Sequence, residues 1–190
     1  MKLKNWLTYL SPRSLPILIT LFSLGIAQPA QAQTQRFSCD RLPNQNFATF
    51  IQTRHGDFPL IEWHTTWANL SPEERCKIVS GRFHRFDRAG ELKYLRTGSF
   101  NGHQVICVAT RKGGICQQSK ILVTLPPGST HEDAKDVLLE MRSLIINASN
   151  NHLLLSSSLV PYSHDPEGNL YLNFEVVWQR LNRDLEGEGN

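Results

Sequence analysis

The sequence predicts an α+β fold in which an antiparallel sheet is packed by two amphipathic helices and stapled by two disulfides. Apolar residues recur three and four apart in two capped segments, and they alternate in several short segments joined by turn-forming residues. Four cysteines follow a leader-like N-terminus. A chain of 190 residues, 40% of them hydrophobic, suits one domain and is too apolar to be disordered throughout.

Lys2, Lys4 and Arg13 accompany an apolar run from Leu15 to Ala27, and Ala30-Gln31-Ala32 follows. Charged, hydrophobic and small-residue regions in that order are those of a secretory signal peptide, cut after Ala32. The run has thirteen residues and contains Pro16 and Gly25, short of the roughly 20 that a membrane-spanning helix needs. The expected plan is a signal peptide over 1–32, a single α+β domain over 33–183 and a disordered acidic tail over 184–190. The expected location is outside the cytosol, periplasmic or peripheral on the cell envelope.

Removing Lys2, Lys4 and Arg13 takes 20 basic and 17 acidic residues to 17 of each, so the basic balance belongs to the leader. The remaining charge is uneven. Residues 33–125 hold thirteen Lys/Arg against seven Asp/Glu, and residues 126–190 hold four against ten. Two oppositely charged faces attracting within one fold would explain this, as would a basic face that docks on anionic lipid headgroups.

Residues 33–36 read as a polar lead-in. Phe47 to Thr53 is a short strand, and Phe58 to Trp67 is a second, with Ile61, Trp63 and Thr65 on one face and Leu60, Glu62 and His64 on the other. Ser71 caps a first helix, with Pro72 in its first turn and Glu74 completing a capping box. Cys76, Val79, Phe83 and Phe86 form its buried stripe, Arg75, Arg82, Arg85 and Arg88 line its flanks and outside, and Gly90 ends it. Three strands follow in an antiparallel meander, Glu91 to Thr97, His103 to Thr110 and Ile115 to Leu125, joined by Gly98 to Gly102 and by the Gly113-Gly114 turn. Thr130 and Asp133 cap a second helix with apolar positions at Ala134, Val137, Leu138, Met141, Leu144 and Ile145. Leu153 to Val160 is an apolar run that periodicity leaves unassigned. Asp165 to Asn169 is a turn, and Leu170 to Trp178 is a strand with Leu170, Leu172, Phe174 and Val176 alternating.

Cys39, Cys76, Cys107 and Cys116 allow three pairings. Locality favours Cys107 with Cys116, which flank a tight turn, and Cys39 would then fasten the extended N-terminus to the first helix. The cysteines lack a C-x-x-C pair and leave no odd thiol, so neither a zinc site nor a catalytic cysteine is expected.

The segments Phe37-Ser38-Cys39, Pro59-Leu60-Ile61-Glu62-Trp63, Pro72-Glu73-Glu74-Arg75-Cys76, Val79-Ser80-Gly81-Arg82-Phe83, Leu92-Lys93-Tyr94-Leu95, Asn101 to Cys107 and Gly114-Ile115-Cys116 occur in that order. In these the chain resembles the cyanobacterial circadian oscillating protein family, from about Phe37 to Leu125. Beyond Pro126 only the pattern of turn then helix looks alike. The resemblance implies an exported protein, peripheral on the envelope, whose abundance follows a daily rhythm. It implies no reaction and carries over no catalytic residue.

Arg75 and Arg82 lie seven apart and share a helix face. Their guanidinium forks would either tie the helix to carboxylates or strand-end carbonyls, or together grip an anion. The seven histidines are scattered without H-E-x-x-H or H-x-H spacing, so no metal and no cofactor are expected. Serine-elbow and phosphate-loop motifs are missing, and the phenylalanines of Arg82-Phe83-His84-Arg85-Phe86 belong to the buried stripe, which argues against stacking on nucleic acid. The expected function is therefore noncatalytic: a monomer that binds a protein partner or an anionic membrane surface through Arg75, Arg82, Arg85 and Arg88. The competing reading is a small extracytoplasmic hydrolase or ligand-processing enzyme with a site drawn from Glu62, His64, His103 and Glu91.

Overall fold

The computed structural model describes residues 35–148 and 162–182, so the expected leader, the apolar run from Leu153 to Val160 and the acidic tail lie outside the described residues. The α+β class holds, and the described residues form two antiparallel sheets where one was expected and three α-helices where two were. The first sheet has the order β1 (Phe37–Arg41), β2 (Phe47–Thr53), β3 (Gly56–Trp63). In the pairing of β2 with β3, Thr49 faces Ile61 while Phe50 faces Pro59, which leaves Leu60 as an extra residue. A bulge of this kind resets the alternation. Leu60 and Trp63 consequently both enter the core, at 2% and 4% exposure, in place of the opposite faces that a regular strand would give them. Pro59 is tolerated because β3 is an edge strand and the bulge is adjacent.

The second sheet combines β4 (Tyr94–Phe100), β5 (His103–Ala109), β6 (Ile121–Thr124), β7 (Tyr162–His164) and β8 (Leu170–Asn173) in the order β6-β5-β4-β8-β7. The expected meander is present, with different boundaries. Asn101 and Gly102 alone turn β4 into β5, both at positive φ (51° and 77°), as a two-residue hairpin of primed type requires. Gly98, Ser99 and Phe100 therefore belong to β4. The third strand shrinks to four residues, and residues 110–117 form a loop that ends in a single 3₁₀ turn, Gln118–Lys120. The last expected strand stops at Asn173, whose Oδ1 accepts a hydrogen bond from the Val176 amide (3.1 Å) and opens a helix, α3 (Phe174–Leu181). Phe174, Val177 and Leu181 then bury themselves at helical spacing.

The two expected helices form where their caps place them. In α1 (Pro72–Arg88), Ser71 Oγ accepts from the Glu74 amide at 3.2 Å, and the Glu74 carboxylate accepts from the Ser71 amide at 2.8 Å. Gly90, at φ 66°, turns the chain out of the helix. Thr130 and Asp133 make the same reciprocal pair at the start of α2 (His131–Ala148). The α1 stripe packs on β1, β2, β3 and β6, and α2 packs on β3, β4, β5 and β8, so each helix bridges the two sheets over one shared core. Phe83 stacks on Phe37 of β1 with centroids 4.8 Å apart, and Phe174 of α3 lies against both rings. Burying a side chain such as Phe83 contributes about 1.5–3 kcal/mol.

Both disulfides take the favoured pairing, each with its α-carbons 5.6 Å apart. Cys39–Cys76 fastens β1 to α1, closing a loop of 37 residues for which chain entropy gives about 4 kcal/mol. Cys107–Cys116 does not cross a strand pair, because Cys116 sits in the 110–117 loop; it folds that loop back over β5. On the sheet face away from the core, Arg96 lies opposite both Cys107 and Tyr171. The Arg96 guanidinium lies over the Tyr171 ring (4.9 Å), donates to the carbonyls of Thr97 and Gly114, and approaches the Asp165 carboxylate to 3.7 Å. Burial pushes the Asp165 carboxyl up, but hydrogen bonds from Asn169 and Tyr171 and the Arg96 charge outweigh it and hold the carboxyl below its usual value.

Gly98 lies under the stapled loop, where an added Cβ would stand 3.0 Å from Cys116 Cβ and 3.1 Å from its Sγ. Gly98→Ala is expected to cost about 1–3 kcal/mol in urea unfolding, and most of that penalty should vanish in a Cys107→Ala/Cys116→Gly background, which removes both the Cβ and the Sγ that the new methyl meets. A carboxyl whose folded value is depressed adds stability that is present above the unfolded value, near 4, and lost as pH falls through the folded one. Asp165→Asn should therefore remove about 2 kcal/mol at neutral pH and flatten the acid limb of a stability-versus-pH curve.

Candidate binding groove

The α1 helix that closes the core also carries the four arginines, and the structure divides them. Arg75 and Arg82 are half-buried, whereas Arg85 and Arg88 are exposed. Seven residues of helix separate the first pair by about 10 Å along the axis. Between them stands Ile78, a large apolar side chain left 40% exposed. Ile78 is off the stripe of Cys76, Val79, Phe83 and Phe86, which is the signal in the sequence that could have found it.

Opposite Ile78, the chain after β3 makes a tight turn in which Trp67 and Leu70 exchange backbone hydrogen bonds of 3.0 and 2.9 Å. Ala68 and Asn69 hold φ of 53° and 60° there, a left-handed pair that fits a primed turn. This turn, Trp63, the Arg75 to Arg82 flank of α1 and the β6 residues Val123 and Thr124 enclose a cavity of about 130 Å³. Trp63 is fixed by a hydrogen bond from Nε1 to Thr49 Oγ1 at 3.1 Å. The Arg75 guanidinium lies over Trp63 (4.8 Å) and Trp67 (5.4 Å) and donates to the Thr65 carbonyl at 3.2 Å. Arg82 donates to the Leu122 carbonyl at 3.0 Å. The two arginines thus tie α1 to backbone carbonyls and rim an apolar groove at the same time.

Among the described residues none of Arg75, Arg82, Arg85 and Arg88 has a carboxylate partner, although Arg36, Lys77, Arg96, Lys120 and Lys135 all do. Burial pushes the pKa of Arg75 down, and burial with the neighbouring Arg85 charge does the same to Arg82, leaving both protonated. Arg85 covers the Phe86 ring at 4.8 Å.

Of the four residues of the competing enzyme reading, only Glu62 and His64 come together. Glu62 accepts hydrogen bonds of 2.8 Å from Asn46 and Asn44, which hold its carboxyl below the usual value. His64 stands 3.7 Å from Glu62, but its side chain is 62% exposed. His103 meets Trp67 edge-on at 6.3 Å, and Glu91 pairs with Lys120. None of the four lines the groove. Among the described residues no three His, Cys, Asp or Glu side chains cluster as a metal site would need, and no helix is long and apolar enough to cross a membrane.

Sequence reasoning missed Trp67, Leu70 and the β6 wall of the groove. They reach Ile78 only through tertiary packing.

Fold and groove together define a small α+β protein, stapled by two disulfides, with an arginine-rimmed surface groove. A family model matches residues 36–177, and the chain belongs to the family described as Circadian oscillating protein COP23. The match runs past Leu125 into α3, so β7, β8 and the first half of α3 belong to the family unit as well. No match is found among curated proteins or solved structures.

Proposed function

We propose that the protein is an exported, noncatalytic component of the cell envelope that docks on an anionic partner through the arginine flank of α1. The partner is an anionic membrane surface or an acidic protein surface. The observation that carries this reading is the set of four α1 guanidiniums without a carboxylate partner among the described residues. Membership in a circadian oscillating family supports an abundance that follows a daily rhythm. Leader-like residues Lys2 to Ala32 and the paired cysteines support export, since disulfides persist in oxidising compartments.

Charge docking weakens with salt, because the screening length falls from about 8 Å at physiological ionic strength to about 3 Å at 1 M. Washing isolated envelopes with 1 M salt, an ionic strength at which such contacts are screened, should release the protein. Combined reversal of Arg75, Arg82, Arg85 and Arg88 to Glu should leave it in the soluble fraction. Retention on the envelope in both experiments overturns the proposal.

A further inference from the structure

We infer that the groove between Arg75 and Arg82 receives a short acidic segment of a protein partner, with one apolar side chain against Ile78 and a carboxylate on each guanidinium. This rests on the anionic-partner reading above and names the chemistry of the occupant. The cavity holds about 130 Å³, well below the roughly 300–1,000 Å³ of sites that enclose a small molecule or cofactor. That is room for one side chain. Its walls are apolar or aromatic, from Trp63, Trp67, Leu70 and Val123, with Ile78 open at the lip.

The rim adds charge of one sign. Arg75 and Arg82 each spend one donor on a carbonyl, at Thr65 and Leu122. A guanidinium has five donors in a fixed fork that matches a carboxylate. Half-buried cations without a counter-charge are disfavoured, and an incoming carboxylate offsets that. Tryptophan and arginine around a small pocket are also what binding hot spots are made of. Successive side chains of an extended segment point to opposite faces, so residues that enter the groove together stand two or four apart. Four residues span about 13 Å, which flexible glutamate side chains adapt to the axial separation of about 10 Å, so the acidic residues should stand four apart with the apolar residue midway between them. The edge strand β6, whose Thr124 lines the groove, offers main-chain groups to such a segment. A lipid surface would instead meet the protruding charges, Arg85 and Arg88, and would bypass a recessed pair.

The test uses the disulfide-bonded protein and the fluorescence of its tryptophans. The probes are the blocked peptides Glu-Ala-Leu-Ala-Glu, Glu-Ala-Phe-Ala-Glu, Glu-Ala-Ser-Ala-Glu and Lys-Ala-Leu-Ala-Lys, and phosphatidylglycerol vesicles. The two acidic apolar peptides should bind saturably, and the Ser and Lys peptides should bind about tenfold more weakly or not at all. Arg75→Gln/Arg82→Gln should weaken binding about tenfold, and Ile78→Ser about fivefold, whereas Arg111→Gln/Lys112→Gln, which removes two exposed charges from the 110–117 loop, should change it less than about twofold. Ile78→Ser guards against a folding artefact, because that exposed side chain is outside the core. Equal binding of the Lys peptides, no saturation by either acidic apolar peptide at millimolar concentration, or a tryptophan response to vesicles alone overturns the inference. Salt-releasable envelope binding without peptide binding would sink this inference and leave the docking proposal standing. Peptide binding with envelope retention under both the salt wash and the charge reversal would do the reverse.

Discussion

The rest of the structure depends on the packing of one face of α1 against both sheets. Phe83 is fully buried, stacked on Phe37, and Cys76 on the same face is bonded to Cys39 of β1. The three-stranded sheet has only a few strands and an edge bearing Pro59, and such a sheet needs a packed partner to be stable. The α1 stripe supplies it. Val79 shows the economy of the arrangement, since it sits in the core and also lines the groove. The groove is in this sense the outer edge of the core packing, and any change that shifts α1 moves Arg75, Ile78 and Arg82 together.

Arginines in this protein stand in two different surroundings. Arg96 is 8% exposed and is surrounded by Tyr171, two carbonyls and the Asp165 carboxylate, so its charge is answered within the fold. It braces the 110–117 loop from below while Cys107–Cys116 ties it from one end. Arg75 and Arg82 have stacking partners and carbonyls but no carboxylate among the described residues. A buried, neutralised guanidinium specifies structure, whereas a half-buried one without a carboxylate keeps donors free, and the proposed docking uses these.

Both long helices were legible in the sequence because their signals are local: Ser71 with Glu74, Thr130 with Asp133, and apolar residues three and four apart. Strand boundaries were less legible, for reasons that can be named. The bulge at Leu60 breaks a two-residue period that the sequence otherwise keeps. Phe174 fits both an alternating strand and a helical stripe, and only the cap formed by Asn173 decides between them. The expected third strand runs from Ile115 across the polar residues Gln117 to Lys120, yet the loop that Cys116 ties is held by Arg96, a residue twenty positions earlier. At the groove, the arginines were found from their spacing. Its walls come from β3, the following turn, α1 and β6, and no window along the chain contains them all.

Two covalent links, β1 to α1 and the 110–117 loop to β5, hold the fold together, and the proposed export delivers the chain without its leader. Peptide mapping under non-reducing conditions, on protein taken from the envelope of its native host, tests this most directly. The account predicts an N-terminus at Gln33 and linked peptides that join Cys39 to Cys76 and Cys107 to Cys116. Four free thiols on a chain that retains Met1 would contradict it.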